Sequence, residues 1–154
     1  MYTVQEKREI ERVLSAFAEY IADAENAYGN PAFEIVWLEK LQCYLYVENY
    51  NSSRKLEEKH LTMLPVESAK HLCMELVVSR VIYMFHTALF GTAVVETIAK
   101  AEYYRIFNSI TEAQMNQIRD EVQQWLYPYM QALPEYAAYL QQTAMGQLED
   151  LRKQ

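Results

Sequence analysis

The sequence predicts an all-α fold, a single helical bundle of six or seven helices with a long central helix near residues 65–90. Three observations carry that prediction. The 154 residues include only three glycines and four prolines, too few for the many tight turns of a sandwich or barrel. Half of the residues are hydrophobic, so the chain can fill a core. Alanine, leucine, glutamate, glutamine and methionine, all good helix formers, are abundant. With no repeat, low-complexity run or linker, residues 1–154 read as one domain.

The elements follow in order. Thr3-Val4-Gln5-Glu6 has the form of a capping box. Behind it Ile10, Val13, Phe17, Tyr20, Ala24 and Ala27 step by three and four, a one-sided apolar stripe. "YGNP" at 28–31 ends that helix, with Gly29 after its last turn and Asn30 and Pro31 placed to start the next. Residues 32–50, "AFEIVWLEKLQCYLYVENY", are apolar nearly all round and read as a central helix; their β-branched and aromatic content leaves a strand as the alternative. "NYNSS" is loop-like, and a short helix over about 53–64 stops before Pro65.

From Pro65 to Phe90 runs the longest helical pattern, closed by Gly91. A further helix spans about 92–108. Two capping boxes then overlap, Ser109-Ile110-Thr111-Glu112 and Thr111-Glu112-Ala113-Gln114. Met115, Ile118, Val122, Trp125, Tyr129 and Leu133 form the next stripe, with Pro128 expected to kink it. Pro134 opens a last helix through Tyr136, Leu140, Ala144, Leu148 and Leu151.

Charge narrows function. A net charge of −7 argues against nucleic acid, whose phosphates need a basic face. Residues 13–50 hold six carboxylates against one lysine, a local balance of −5. Glu19 and Asp23 stand one helical turn apart within that stretch. An acidic face of this kind suits a basic protein partner and speeds its association. Glu34, Tyr44, Tyr46 and Tyr50 are the expected contact residues beside Glu19 and Asp23, because tyrosine is enriched at interaction hot spots. Thirteen tyrosines against five phenylalanines strengthen that expectation.

The stretch "LEEKHLTMLPVESAKHLCME", residues 56–75, concentrates the residue types that bind metal ions. Glu57-x-x-His60 has the spacing of a helical di-iron ligand pair. A second such pair is missing, because Ser68 precedes His71 and Tyr83 precedes His86 at the required distance. A three-histidine site from His60, His71 and His86 is the metal alternative. Against it, Glu67, His71 and Glu75 lie opposite Ala69, Leu72, Cys73, Leu76 and Tyr83 and read as a solvated ridge. That ridge turns apolar further along, through Val78, Ile82, Phe85 and Leu89, so this face is either buried by other helices or offered as a dimer seam or groove.

Arg80 falls on the core face beside Tyr83. A buried guanidinium needs a carboxylate or carbonyls, and Glu34, Glu39, Glu48, Glu96 and Glu102 are the candidates. Alternatively Arg80 and Tyr83 anchor an anionic ligand in a central pocket. Cys43 and Cys73 match no zinc or disulfide pattern. Glycine-rich phosphate loops and nucleophile elbows are absent from the sequence, so no cofactor and no catalytic residue is expected.

Residues 76–95, "LVVSRVIYMFHTALFGTAVV", approach the length of a membrane span. Arg80, His86 and Gly91 interrupt them, and a central arginine costs about 3 kcal/mol on insertion scales, so a buried helix is the expectation. The charged N-terminal stretch has no signal-peptide core, which points to the cytoplasm.

"HLCMEL", followed by "QQWLYPYM" and "PEYAAYL", resembles the carboxy-terminal half of the all-helical redox-enzyme maturation chaperones. Lys70 stands where that family has an aspartate before the histidine, and nothing before Pro65 matches. The resemblance implies a helical chaperone. Together these readings favour an acidic, intracellular protein-binding module of the inhibitor, immunity or chaperone kind. A helical ligand- or metal-binding protein or enzyme is the competing class.

Overall fold

The computed structural model describes residues 2–20, 33–38, 42–48 and 65–153. The chain divides into two compact units, Met1–Leu72 and Cys73–Gln154. Helix accounts for most of the described residues, and the regular elements of the second unit among them are all helices.

The first unit opens with α1 (Val4–Ala16), whose capping box forms as expected. The Glu6 N–H donates to Thr3 Oγ1 at 3.1 Å and the Thr3 N–H to Glu6 Oε2 at 3.2 Å, so two of the helix's unpaired donors are satisfied. Ile10, Val13, Phe17 and Tyr20 from the predicted stripe are all buried. Ala24 and Ala27 lie outside the described residues.

Residues 32–50 correct the sequence reading. Their described residues are not helical but form two strands, β1 (Phe33–Leu38) and β2 (Cys43–Glu48), paired antiparallel from Phe33↔Glu48 to Leu38↔Cys43. The hairpin partner that the sequence does not reveal is the second half of the same segment. Isoleucine, valine, tryptophan and tyrosine are crowded in a helix and fit a pleated surface. The reversal between the strands uses Gln42 in the left-handed region (φ 51°), where glycine or asparagine is the usual signal.

A two-residue strand, β3 (Pro65–Val66), extends the sheet in the order β1-β2-β3. Pro65 therefore sits on an edge strand, the sheet position a proline tolerates, and does not open the long helix. The expected helix over 53–64 lies outside the described residues.

That long helix, α2 (Ala69–Phe90), begins after Ser68 and continues into the second unit. Ser68 Oγ accepts the His71 N–H at 3.0 Å, and His71 Nδ1 accepts the Glu67 N–H at 3.2 Å. Ser68 thus caps one free N–H of the first turn, and the His71 ring takes up the N–H of Glu67, one residue before the cap. Gly91 ends α2 with φ 72°, its N–H donating to the Thr87 carbonyl at 3.0 Å, the left-handed termination expected there.

The remainder of the second unit comprises a 3₁₀ turn at Val95–Thr97, α3 (Lys100–Phe107), α4 (Glu112–Ala132), a 3₁₀ turn at Pro134–Tyr136 and α5 (Ala137–Arg152). Of the two overlapping capping boxes, Thr111 and Gln114 form theirs. Ser109 instead donates from Oγ to the Arg105 carbonyl at 2.7 Å, closing the end of α3. Pro128 stands inside α4, which runs on to Ala132.

Helices α4 and α5 pair antiparallel. Met115, Ile118, Val122 and Leu126 of α4 and Leu140, Ala144, Leu148 and Leu151 of α5 are buried. Arg152 pairs with Glu112, and Arg119 with Glu149 at 3.2 Å, at one end of the seam. Gln123 donates to Gln141 at 2.6 Å towards the other. Leu76, Val77, Val81 and Phe85 of α2 complete the core of this unit.

Thr111→Ala should lower the stability of the protein by about 1 kcal/mol, since it removes a working cap. Ser109→Ala, which removes a hydroxyl that binds only an exposed carbonyl, should cost clearly less. Urea denaturation of both variants checks the order; equal losses would show that the first box contributes as much as the second.

Candidate functional site

A groove of about 340 Å³ lies between α2 and α4. Helical periodicity builds it. On α2 the buried residues Val77, Val81 and Phe85 leave Met84 and Leu89 half-buried and Ala88 exposed. On α4 the buried residues Met115, Ile118 and Val122 leave Gln114, Gln117 and Glu121 exposed one position before each. Met84, Ala88, Leu89 and Ile118 thus make an apolar floor, and the three polar side chains of α4 make one rim. Tyr83 and Thr87 belong to the opposite wall. The Thr87 hydroxyl is buried without a hydrogen-bond partner among the described residues.

The groove sets the apolar side chains Met84, Ala88, Leu89 and Ile118 beside Tyr83, Thr87, Gln114, Gln117 and Glu121, a lining of mixed polarity. Glu121 is its single carboxylate, and Gln117 donates a long 3.5 Å hydrogen bond to it. Among the described residues that line the groove there is no histidine, no cysteine and no second carboxylate.

Arg80 and Tyr83, singled out from sequence, are brought together. The Arg80 guanidinium carbon lies 5.0 Å from the Tyr83 ring centroid and 5.9 Å from that of Trp125. The cation is half-buried and rests on aromatic faces, a contact that strengthens as water is removed. Among the carboxylates expected for it, Glu102 is held by Arg105, three residues on in α3.

The apolar ridge of α2 takes an intermediate course. Phe85 is buried, while Val78, Ile82 and Leu89 remain half-buried. At the end of the helix an aromatic ladder forms. Phe90 stacks on Tyr103 at 4.8 Å with the rings 8° from parallel, and Tyr103 stacks on Phe107 at 6.1 Å. His86 lies against Phe85 and Phe90 at 5.7 and 6.0 Å. Burial pushes its pKa below the ordinary value of 6.5, opposed by the negative charge of Glu96. Of the tyrosines in excess, Tyr103 is thereby explained as packing, while Tyr104 and Tyr127 stay exposed.

The expected partner face of residues 19–50 is not one helical surface. Glu19 is exposed, but Glu34 and Tyr46 fall in the hairpin, opposite Val47 and Ile35 respectively. Tyr44 is only 8% exposed. It packs 5.9 Å from Tyr2 and donates its hydroxyl to Glu11 at 3.2 Å. That corrects its assignment: Tyr44 is a core residue of the first unit, its hydroxyl satisfied within the fold. Asp23 and Tyr50 lie outside the described residues.

So do Glu57 and His60 of the metal alternative. His71 and His86 share α2 but stand fifteen residues apart, about 22 Å at the rise of an α-helix, so they cannot hold one ion between them. His71 Nδ1 is also engaged in closing the helix start. Among the described residues no group of three histidine, cysteine, aspartate or glutamate side chains converges on a point.

What sequence reading missed is the rim. Gln114, Gln117 and Glu121 look like ordinary solvated positions, and only their i, i+3, i+7 spacing beside an apolar stripe marks them as one row.

His86 makes a checkable contribution to stability. Its folded pKa lies below its unfolded one, so the unfolded state binds the proton first as pH falls. Stability should therefore decline as pH drops below about 6.5 and level off once the folded state protonates too. His86→Phe, which keeps the ring contacts, should flatten the stability profile between pH 7.5 and 5.5 relative to the parent. Parallel profiles of the two proteins would show that His86 titrates alike in both states.

No family model, curated protein or solved structure matches this chain; the likeness of "HLCMEL" and "PEYAAYL" to the maturation chaperones gains no support, and the groove stands on its own geometry.

Proposed function

We propose that the protein is a binding module for another protein, and that the groove between α2 and α4 receives the partner. One observation carries the reading. An apolar floor of Met84, Ala88, Leu89 and Ile118 lies beside a polar rim, with Met84 and Leu89 only half-buried and Ala88 exposed. A protein surface that leaves adjoining apolar side chains partly wet gains free energy when a partner covers them. The acidic composition, −7 overall, suits a partner of opposite charge and adds association rate.

This reading keeps the class expected from sequence, an acidic accessory module, and moves its contact surface. The residues proposed to meet the partner are those of the groove and not the tyrosines of β2. The competing class, a ligand pocket around Arg80, is less well supported. The guanidinium is packed on Tyr83 and Trp125, an arrangement that occupies its flat faces within the unit.

Site-specific photo-crosslinking tests the proposal. A photoreactive residue at Gln117, on the rim, should trap a discrete protein in cells that make this chain. The same residue at Lys100, exposed at the start of α3, should not trap it. Ala88→Trp, which fills the groove from an exposed position, should abolish the Gln117 adduct. Equal trapping from both positions, or an adduct indifferent to Ala88→Trp, would remove the groove from the function.

A further inference from the structure

The groove's own charge names the kind of partner it fits. Along α4 and α5 the carboxylates near the seam are occupied. Glu112 is bound by Arg152, with Arg119 at 3.9 Å, and Glu149 is bound by Arg119 at 3.2 Å. These pairs hold the Glu112 carboxyl below the usual carboxylate range, first through the hydrogen bond from Arg152. Glu121 differs. It is exposed, it lies on the groove rim, and among the described residues no cation reaches it.

The shape of the groove adds a second constraint. Its α4 wall presents Gln114, Gln117 and Glu121, spaced i, i+3 and i+7, over about 10 Å at the rise of an α-helix. Its α2 wall presents Tyr83 and Thr87, then Met84 and Ala88, each pair four residues apart. Two helix ridges flanking a furrow are the surface on which a third helix packs, with its own i, i+4 ridge in the furrow.

We infer that the occupant is a basic amphipathic helix: its apolar stripe fills the floor of Met84, Ala88, Leu89 and Ile118, and a lysine or arginine beside that stripe meets Glu121. The inference rests on the proposed function and names the partner's chemistry. A second copy of this chain fits less well, since both copies carry the same −7 charge and would repel.

The test uses the full chain and two synthetic peptides of about 18 residues, long enough to form helix. Both carry leucines at i, i+3, i+4 and i+7; one has lysine and glutamine on its polar face, the other glutamate and glutamine. Binding is read by fluorescence anisotropy and by amide shifts of Ala88, Leu89 and Gln117. The lysine peptide should bind, and those three amides should move. Glu121→Gln should weaken it about threefold, the scale of one exposed ion pair. Glu121→Lys should weaken it further, and Ala88→Trp should abolish it.

Tighter binding of the glutamate peptide would overturn the charge assignment while leaving the groove reading intact. So would binding of neither peptide, provided that the Gln117 crosslink still traps a protein. Lysine-peptide binding that ignores Ala88→Trp would show mere attraction to an acidic surface and would sink the inference. Chain association in sizing experiments, or vesicle binding, either one lost on Ala88→Trp, would reassign the groove to self-assembly or to a membrane.

Discussion

The seam between α4 and α5 is the contact on which the second unit depends. Each helix presents one stripe, Met115, Ile118, Val122 and Leu126 against Leu140, Ala144, Leu148 and Leu151, and all eight side chains are buried. Burial of a large aliphatic side chain is worth about 1.5–3 kcal/mol, so the seam outweighs the surface ion pairs around it, which solvent and salt screen. Those pairs fix register instead. Glu112 with Arg152, Arg119 with Glu149 and Gln123 with Gln141 are satisfied together only when the two helices run antiparallel with a single offset. With α4 held on its inner stripe, the row Gln114, Gln117 and Glu121 is turned outward as a consequence. The rim of the groove is therefore a by-product of core packing.

Legibility in the sequence followed the strength of local physical signals. Both capping boxes that form, at Thr3 and at Thr111, bring two side chains and two backbone groups into reciprocal contact within four residues. Such a motif depends little on distant structure. The stripes of α1, α4 and α5 were equally readable because one face is apolar and the other is not. Residues 33–48 gave no such contrast. They are apolar in both the helical and the strand period, and the reversal between the strands places Gln42 at the left-handed position where glycine would have announced a turn. The start of α2 is hidden in the sequence for a related reason. Pro65 is a good first residue for a helix, but it is equally acceptable on an edge strand, and the hydrogen bond between His71 and the Glu67 backbone follows no common capping pattern.

The candidate site was legible in part. Arg80 and Tyr83 were recognised as a pair because a cation on an apolar face demands explanation, and the structure supplies aromatic rings for it. The groove lies one turn further on and has no residue that demands explanation. Its floor reads as core and its rim as surface, so only the packed helices reveal that the two adjoin. Tyrosine abundance was a weaker guide. Tyr44 and Tyr103 serve packing, the one through Glu11 and the other through parallel rings, and an amphipathic side chain is suited to such half-buried duty as well as to recognition.

Gly91 shows a constraint of a different kind. Its backbone lies at φ 72°, yet a Cβ added there would meet nothing within 4 Å. Space is therefore not what excludes other residues from the end of α2; handedness is. An L-side chain at this position strains the backbone, whereas its mirror image adopts positive φ at rest. D-alanine placed at residue 91 by chemical synthesis would keep the helix terminus as it is and would restrict the unfolded chain, so the protein would gain stability from a residue its own translation cannot supply.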